Sequence, residues 1–484
     1  MRDTNGSRSR RFVLRQPFRH PSLSNMTYPP SISAAGAMLR SGELTPVTLL
    51  DQCLARIDAL ESDIRAWVVV DRSASRSAAE QARDELISGF DRGPLHGIPL
   101  GVKDIIDVAG LPTMAGAKVR PEVPAVRDAF VVRKLREAGA VLLGKTVTTE
   151  FASFDPSPTR NPWNLKRTPG GSSAGSAAAP ACGMCFASLG SQTGGSIIRP
   201  ASYCGVAGLK PTWGRLSLRG IVPLAYHLDH PGVLARTVGD LELTYRALIG
   251  FDALDPCSTA RPQASGGDDG FQTELDPAGM PRLGVVRDYF FDKSNDNVRR
   301  GVTAGMDRLR KAGASVAVVG MPKEFADVHR SHRLIMAVDA AAYHRETFLV
   351  RRGDYGPRIS ELLNEGLAAT AVDYSRALEH QFQFRRAIEA LLLEHQLDAL
   401  VMPAVSNTAP PLDTTGDPTF QAPWSFSGLP VVSLPCELGD DDMPIAMQLV
   451  GAPWSEGPLL ATATWCEQAV NFHHQPPVVR SLDD

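Results

Sequence analysis

The chain reads as an α/β fold, and three observations carry that reading. Short apolar runs of strand length recur from one end of the sequence to the other. Amphipathic helical patterns separate them, and Gly- and Pro-rich turns punctuate the alternation. With 43% hydrophobic and 21% charged residues over 484 positions, the composition suits a large core that needs no disulfide or metal staple.

The elements follow in order. Thr45-Pro46 opens a helix, with Thr as N-cap and Pro at the first helical position. Leu49, Leu50, Cys53, Leu54, Ile57 and Leu60 then recur at helical spacing, so one face is buried. A second helix is predicted over Ser73 to Ile87. Ile98-Pro-Leu-Gly-Val-Lys103-Asp-Ile-Ile106 is an apolar, strand-like run with a lysine inside it. Asp128 to Ala138 predicts a helix and Ala140 to Gly144 a buried strand. Val238 to Ile249 is helical, and Ser258 to Pro281, rich in Gly, Pro, Asp and Ser, is a surface loop. A strand (Arg282 to Val286), a helix (Asn297 to Ala312) and a strand (Ser315 to Val319) come next. Long helices lie between Ser331 and Glu394, followed by strands at Ala399 to Val405, Pro430 to Pro435 and Pro444 to Val450. A final helix spans Pro458 to Val470. Strands recur throughout without a linker, so one large domain is expected, over residues 29–475 with a tail at 476–484.

Charge and cysteine content exclude several function classes. A formal net charge of −3 provides no general attraction to nucleic acid or an anionic membrane. Seven scattered cysteines fit a reducing compartment better than a disulfide framework. Cys182-Gly-Met-Cys185 lacks the second pair a zinc site needs, so both are read as small apolar packing residues. Residues 1–28 are rich in Arg and Ser but lack the apolar core of a secretory signal. They are expected to be a disordered extension, or to precede a natural start at Met26. The expected location is cytoplasmic.

Glycine and serine crowd one region. Thr168-Pro-Gly-Gly-Ser-Ser-Ala-Gly-Ser is followed, past an apolar stretch, by Gly190-Ser-Gln-Thr-Gly-Gly-Ser196-Ile-Ile-Arg-Pro200. Ser172 and Ser196 each follow a Gly-Gly pair. Glycine allows the backbone to approach a ligand closely, and a loop that aims several N–H groups at one point stabilises a developing oxyanion. This is the pattern of a serine nucleophile in acyl transfer.

Three conventional ways to activate such a serine fail. Gly171-Ser-Ser173-Ala-Gly175 formally matches a nucleophile elbow, but the segment before it is loop, where the elbow needs a strand. His227-Leu-Asp229-His230 could supply a Ser-His-Asp set, yet it lies between Pro223 and Pro231 and reads as loop or structural residues. Clustered zinc ligands are absent from the sequence, and His329 and His332, three apart, form only a weak pair. Serine with lysine remains, since a desolvated lysine loses its proton near neutrality and serves as a base. Lys103 is the candidate. A lysine at a strand end is ordinarily a solvated surface residue; here the neighbouring motifs change the reading.

Gly101-Val-Lys103-Asp, Pro169-Gly-Gly-Ser172-Ser173, Gly194-Gly-Ser196-Ile-Ile-Arg199-Pro and Cys204-Gly-Val-Ala-Gly-Leu-Lys210-Pro-Thr-Trp-Gly-Arg215-Leu-Ser217 together resemble the amidase signature family. The similarity runs from about Ser33 to Val470. It implies a single α/β/α domain around a mixed β-sheet, and amide hydrolysis with no metal or organic cofactor. It further implies Ser196 as the acylated nucleophile, Ser172 as the bridge to Lys103 after a cis peptide at Gly171-Ser172, and an oxyanion hole from the N–H groups of Thr193, Gly194, Gly195 and Ser196. Gly194 and Gly195 have no Cβ to obstruct a carbonyl. Ser173 either supports the lysine by hydrogen bonding or caps the loop. Arg199 holds the loop or meets a substrate carboxylate, the structural role being favoured; Lys210 and Arg215 are structural. The sequence departs from the family pattern twice, with Gln192 where aspartate is frequent and Ala174 where glycine is frequent. Neither removes a catalytic group.

Within the family, a free-standing amidase acting on a small-molecule amide is expected, with anilides, carbamates and esters accessible to the same chemistry. The alternative is the glutamine-hydrolysing A subunit of a tRNA-dependent amidotransferase. The tyrosine- and serine-rich segment expected of that component is not evident in the later half. No nucleic acid or membrane partner is expected for the free-standing enzyme, and a homodimer is the default assembly.

Overall fold

The computed structural model describes residues 29–259 and 279–479. The N-terminal extension, most of the Ser258–Pro281 loop and the end of the tail lie outside the described residues. The chain begins with α1 (Ile32–Ser41) and α2 (Pro46–Ile64), then β1 (Trp67–Val70), α3 (Arg72–Ile87) and β2 (Pro99–Lys103). Next come α4 (Phe130–Glu137), β3 (Val141–Thr146), α5 (Ala174–Ala181), β4 (Ala187–Gln192) and α6 (Ile198–Cys204). The first half closes with β5 (Ala207–Lys210), β6 (His230–Ala235) and α7 (Val238–Leu248). The second half runs β7 (Arg282–Val286), α8 (Asp296–Lys311), β8 (Ser315–Val319), then α9 (Val328–Val350), α10 (Pro357–Ala368) and α11 (Ala371–Glu394). It ends with β9 (Ala399–Pro403), α12 (Ala422–Ser427), β10 (Val431–Leu438), β11 (Pro444–Val450) and α13 (Glu456–Val470).

Local chemistry explains the helix starts. Thr45 Oγ1 accepts the Thr48 N–H at 3.0 Å ahead of Pro46, as the sequence predicts. Asn295 does the same for α8, accepting the Val298 N–H at 2.8 Å, and Thr370 for α11.

All eleven strands join one sheet in the order β1-β3-β2-β4-β6-β5-β10-β11-β9-β7-β8. Two parallel blocks, β3-β2-β4 and β9-β7-β8, flank antiparallel pairings. The fold is thus the single α/β domain with a mixed sheet that the family resemblance implied. Every residue of β2, β3 and β4 is buried. Strand β4 reads Ala-Ser-Leu-Gly-Ser-Gln, which carries no apolar run and so gives no strand signal of its own. Helix α5 packs against it, and Ser176 Oγ donates to Leu189 O at 2.9 Å, so small residues let helix and strand approach closely. The glycine- and serine-rich region therefore holds regular structure, α5, β4 and α6, between its loops.

Parallel pairing sets Lys103 beside Thr146 and Val102 beside Leu189. The carboxyl ends of β2, β3 and β4 are thus neighbours, the usual place for a site in an α/β sheet. Directly after Lys103, Asp104 is fixed by a buried ion pair: Lys145 Nζ donates to Asp104 Oδ1 at 2.8 Å, and to Pro112 O and Thr113 Oγ1 at 3.2 Å each. Both partners are essentially inaccessible. Substituting Lys145→Met leaves a buried carboxylate unpaired, and urea denaturation is expected to show a loss of about 3–5 kcal/mol. Adding Asp104→Asn should restore a good part of that loss.

Candidate active site

Lys103 is fully buried, and its Nζ lies 2.8 Å from both Ser172 Oγ and Ser191 Oγ. Burial pushes its pKa down to about 7, opposed by the negative charge of Asp229. An ammonium in this position gains only two hydroxyl acceptors, so the amine loses its proton near neutrality.

Ser172 follows a cis Gly171–Ser172 peptide. The segment is held by long-range partners: Thr149 N donates to Ser172 O at 3.2 Å, and Arg199 Nη2 donates to Gly171 O at 2.7 Å. Arg199 thus bonds the loop that carries Ser172. It is buried, also reaches Thr415 Oγ1 at 3.4 Å, and its Nε and Nη1 have no partner among the described residues. At Gly170 (φ +83°) a Cβ would meet Pro200 Cα at 2.9 Å, so only glycine permits this turn so close to the backbone of α6.

Of the two roles left open for Ser173, its contacts favour the loop. Ser173 does not bond Lys103; its Oγ donates to Ser191 O at 3.2 Å and accepts from Ser191 N at 3.3 Å. Ser191, which sequence reasoning passes over, is the second hydroxyl on the amine. Ser173 N also donates to Ser196 O at 3.3 Å, drawing the two serine-bearing loops together. Ser196 is 7% exposed, whereas Lys103 and Ser172 are sealed. Its hydroxyl forms no hydrogen bond to Ser172 Oγ among the described residues, so the structure makes the lysine–serine link and leaves the serine–serine link open.

The loop Thr193–Ser196 turns all its carbonyls away from one side. Thr193 O accepts from His332 Nε2 at 2.9 Å, and Gly194 O from Ser425 Oγ at 2.8 Å. Gly195 O accepts from Arg199 N at 2.9 Å, and Ser196 O from Ser173 N. The N–H groups of these four residues find no protein acceptor among the described residues. They are free for a developing negative charge. The two glycines differ in purpose. A Cβ at Gly194 would only touch His332 and Pro418 at 3.7 Å each, whereas one at Gly195 would collide with Gln421.

Gln192 is the loop's root. Its Oε1 accepts from Ile197 N and Ile198 N at 2.9 and 3.0 Å, and its Nε2 donates to Ser425 Oγ at 3.1 Å. Asp229 accepts the Thr193 hydroxyl on Oδ1, and on Oδ2 the N–H groups of Leu224 (2.9 Å) and Ala225 (3.2 Å). His230 Nδ1 turns instead to Leu228 O and Gln192 O. The Ser-His-Asp set rejected from the sequence is not assembled among the described residues. His332 belongs to no metal-ligand cluster among the described residues; burial pushes its pKa down to about 4, so the neutral ring donates through Nε2. Cys182 and Cys185 are buried with their thiols pushed up, as packing residues should be. No helix among the described residues is long and apolar enough to cross a membrane.

The chain has known relatives. The profile of the family described as Amidase matches residues 48–460. An amidase from Pseudomonas putida is 35% identical, covering 94% of this chain and 98% of the relative. The A subunit of a glutamyl-tRNA(Gln) amidotransferase from Roseiflexus castenholzii is 34% identical over the same shares, 94% and 98%. The solved structure of a peptide amidase from Stenotrophomonas maltophilia superposes with a TM-score of 0.81 at 29% identity, covering 92% of this chain and 98% of that one. The chain belongs to the amidase family. It is a hydrolase that acts on amides.

Replacing Ser191 with Ala removes one of the two hydroxyls on Lys103 without touching Ser172. A net loss of about 1–1.5 kcal/mol predicts a roughly tenfold fall in kcat/KM with the fold unchanged, checked by steady-state kinetics and circular dichroism.

Proposed function

We propose that the protein hydrolyses linear, non-peptide amides of small molecules through an acyl-enzyme on Ser196. The observation that carries the proposal is the sealed Lys103 amine bonded to Ser172 Oγ beside four unengaged loop N–H groups. Ser196 Oγ attacks the amide carbon, its proton moves to Ser172 Oγ, and the Ser172 proton moves to Lys103 Nζ. The carbonyl oxygen, now negative, accepts from the N–H groups of Thr193–Ser196. Collapse breaks the C–N bond, and the relay run backwards protonates the departing amine. Water then attacks the ester, losing its proton by the same route, and the carboxylic acid leaves. Catalytic hydrogen bonds commonly tighten only when substrate arrives, and the relay requires the Ser172–Ser196 link to form at that point. No step in this sequence calls on a metal or organic cofactor.

The family also contains enzymes of other substrate classes, and the Roseiflexus relative supports one specific second reading, a glutamine-hydrolysing component working with partners. Assay of the purified chain alone on short aliphatic amides, anilides, carbamates, peptide amides and glutamine separates them. Turnover of simple amides without partners is expected; activity confined to glutamine, with partner proteins and aminoacyl-tRNA present, would replace the first reading with the second.

Two further outcomes test the chemistry. Ser196→Ala should lose about three orders of magnitude or more in kcat/KM, and a fluorophosphonate should label Ser196 alone by peptide mass analysis. The base must be neutral, so activity depends on the amine form. With Lys103 at about 7, kcat/KM should level off above that pH and fall about tenfold per unit below it. Lys103→Arg, charged at every accessible pH, should remove this acid limb together with most of the activity.

A further inference from the structure

The oxyanion loop is fastened at its first residue from two directions. His332, on α9, takes the Thr193 carbonyl, and Asp229, just before β6, takes the Thr193 hydroxyl. Asp229 is only 6% exposed. Its second oxygen closes the Leu224–Ala225 turn, so both oxygens are engaged and its position is fixed. The same carboxylate is the charged group whose field acts on the Lys103 amine. One side chain therefore touches the donor loop and influences the base.

We propose that Asp229 is a positioning residue for the acyl-enzyme chemistry, holding Thr193 so that the loop N–H groups converge. This inference rests on the Ser196–Ser172–Lys103 reading above. Three donors, Thr193 Oγ1 and the Leu224 and Ala225 N–H groups, hold the carboxylate against burial and a like charge. Asp339 on α9 adds a like charge, but is itself paired with His227 Nδ1 at 2.9 Å. His332 is neutral, His230 is held neutral by burial, and Lys103 is the amine on β2. Burial pushes Asp229 up to about 6, so it is charged where Lys103, near 7, begins to titrate and loses that charge in the lower part of the acid limb.

Two variants separate the two duties. In Asp229→Asn the amide can turn its oxygen to the Leu224 and Ala225 N–H groups and its nitrogen to Thr193 Oγ1, so the tie survives and the charge is lost. Without that charge the ammonium form of Lys103 is less favoured, and the acid limb of kcat/KM moves to lower pH by on the order of one unit. Thr193→Val removes the tie and keeps the charge: plateau kcat should fall roughly 10- to 100-fold with KM little changed and the limb unmoved. The rate of fluorophosphonate labelling of Ser196 against pH gives the same limb without a substrate, so a weakly active variant remains measurable. An Asp229→Asn limb within about 0.2 units of the parent overturns the charge duty, and a Thr193→Val plateau kcat within about twofold overturns the tie, on which the proposal stands; should Asp229→Asn not fold, Thr193→Val still decides the tie. Ser196→Ala is measured alongside. If it is inactive while both variants behave like the parent, only this inference fails; if it retains turnover, the acyl-enzyme reading fails first.

Discussion

The structure depends on how a buried amine is partnered. Three lysines of this sheet are fully inaccessible, Lys103, Lys145 and Lys210, and burial lowers the proton affinity of all three. Lys145 meets the carboxylate of Asp104 and forms an ion pair. Lys210 donates to two carbonyls, Leu429 O at 2.5 Å and Pro211 O at 3.1 Å, which tie β5 to the start of β10. Of the three, Lys103 is the one that meets two hydroxyls. A hydroxyl can accept from an ammonium or donate to the lone pair of an amine, whereas a carboxylate or carbonyl can only accept and leaves that lone pair unmatched. Equal burial thus yields an ion pair, a tie between strands and an amine held by hydroxyls.

The polarity of the loop 193–196 follows from the same accounting. Buried backbone groups must be matched, and each of the four carbonyls has a donor drawn from a different part of the chain: His332 on α9, Ser425 on α12, Arg199 on α6 and Ser173 beside α5. With the carbonyls committed, the four N–H groups are left without an acceptor among the described residues. Burial alone would not produce this; it needs three helices and a loop arriving from four places in the sequence. The fold therefore supplies the electrostatics as much as the signature residues do.

That division also explains what the sequence could and could not show. Apolar strands such as β3, β9, β10 and β11 announce themselves by runs of Val, Leu and Ile, and α2 and α8 by cap and periodicity. Strands β4, β5 and β6 do not, because small or polar residues such as Ser188, Gly208 and Pro231 are buried there by neighbours rather than by their own apolarity. Lys103, Ser172 and Ser196 were legible through motif chemistry. Ser191 and Ser425 were not, and Asp229 and His332 were noticed only for other roles, since all four are common residue types brought together by the fold. His332 was visible merely as a weak partner for His329, yet its ring is committed to Thr193 O.

Gln192 shows how one departure from a familial pattern can be read physically. Its oxygen accepts two N–H groups at the start of α6, and its nitrogen donates to Ser425 Oγ, leaving the single Ser425 proton for Gly194 O. A carboxylate in its place could accept the same two N–H groups but could donate nothing. Ser425 would then be drawn to donate to the carboxylate, and Gly194 O would lose its partner inside a buried loop, at a cost of about 1–3 kcal/mol. A carboxylate would also place a second buried negative charge at the end of β4, directly after Ser191, whose hydroxyl bonds Lys103, and would favour the ammonium over the amine. The neutral amide at 192 thus keeps the loop's carbonyls matched and leaves Asp229 as the charge that bears on Lys103.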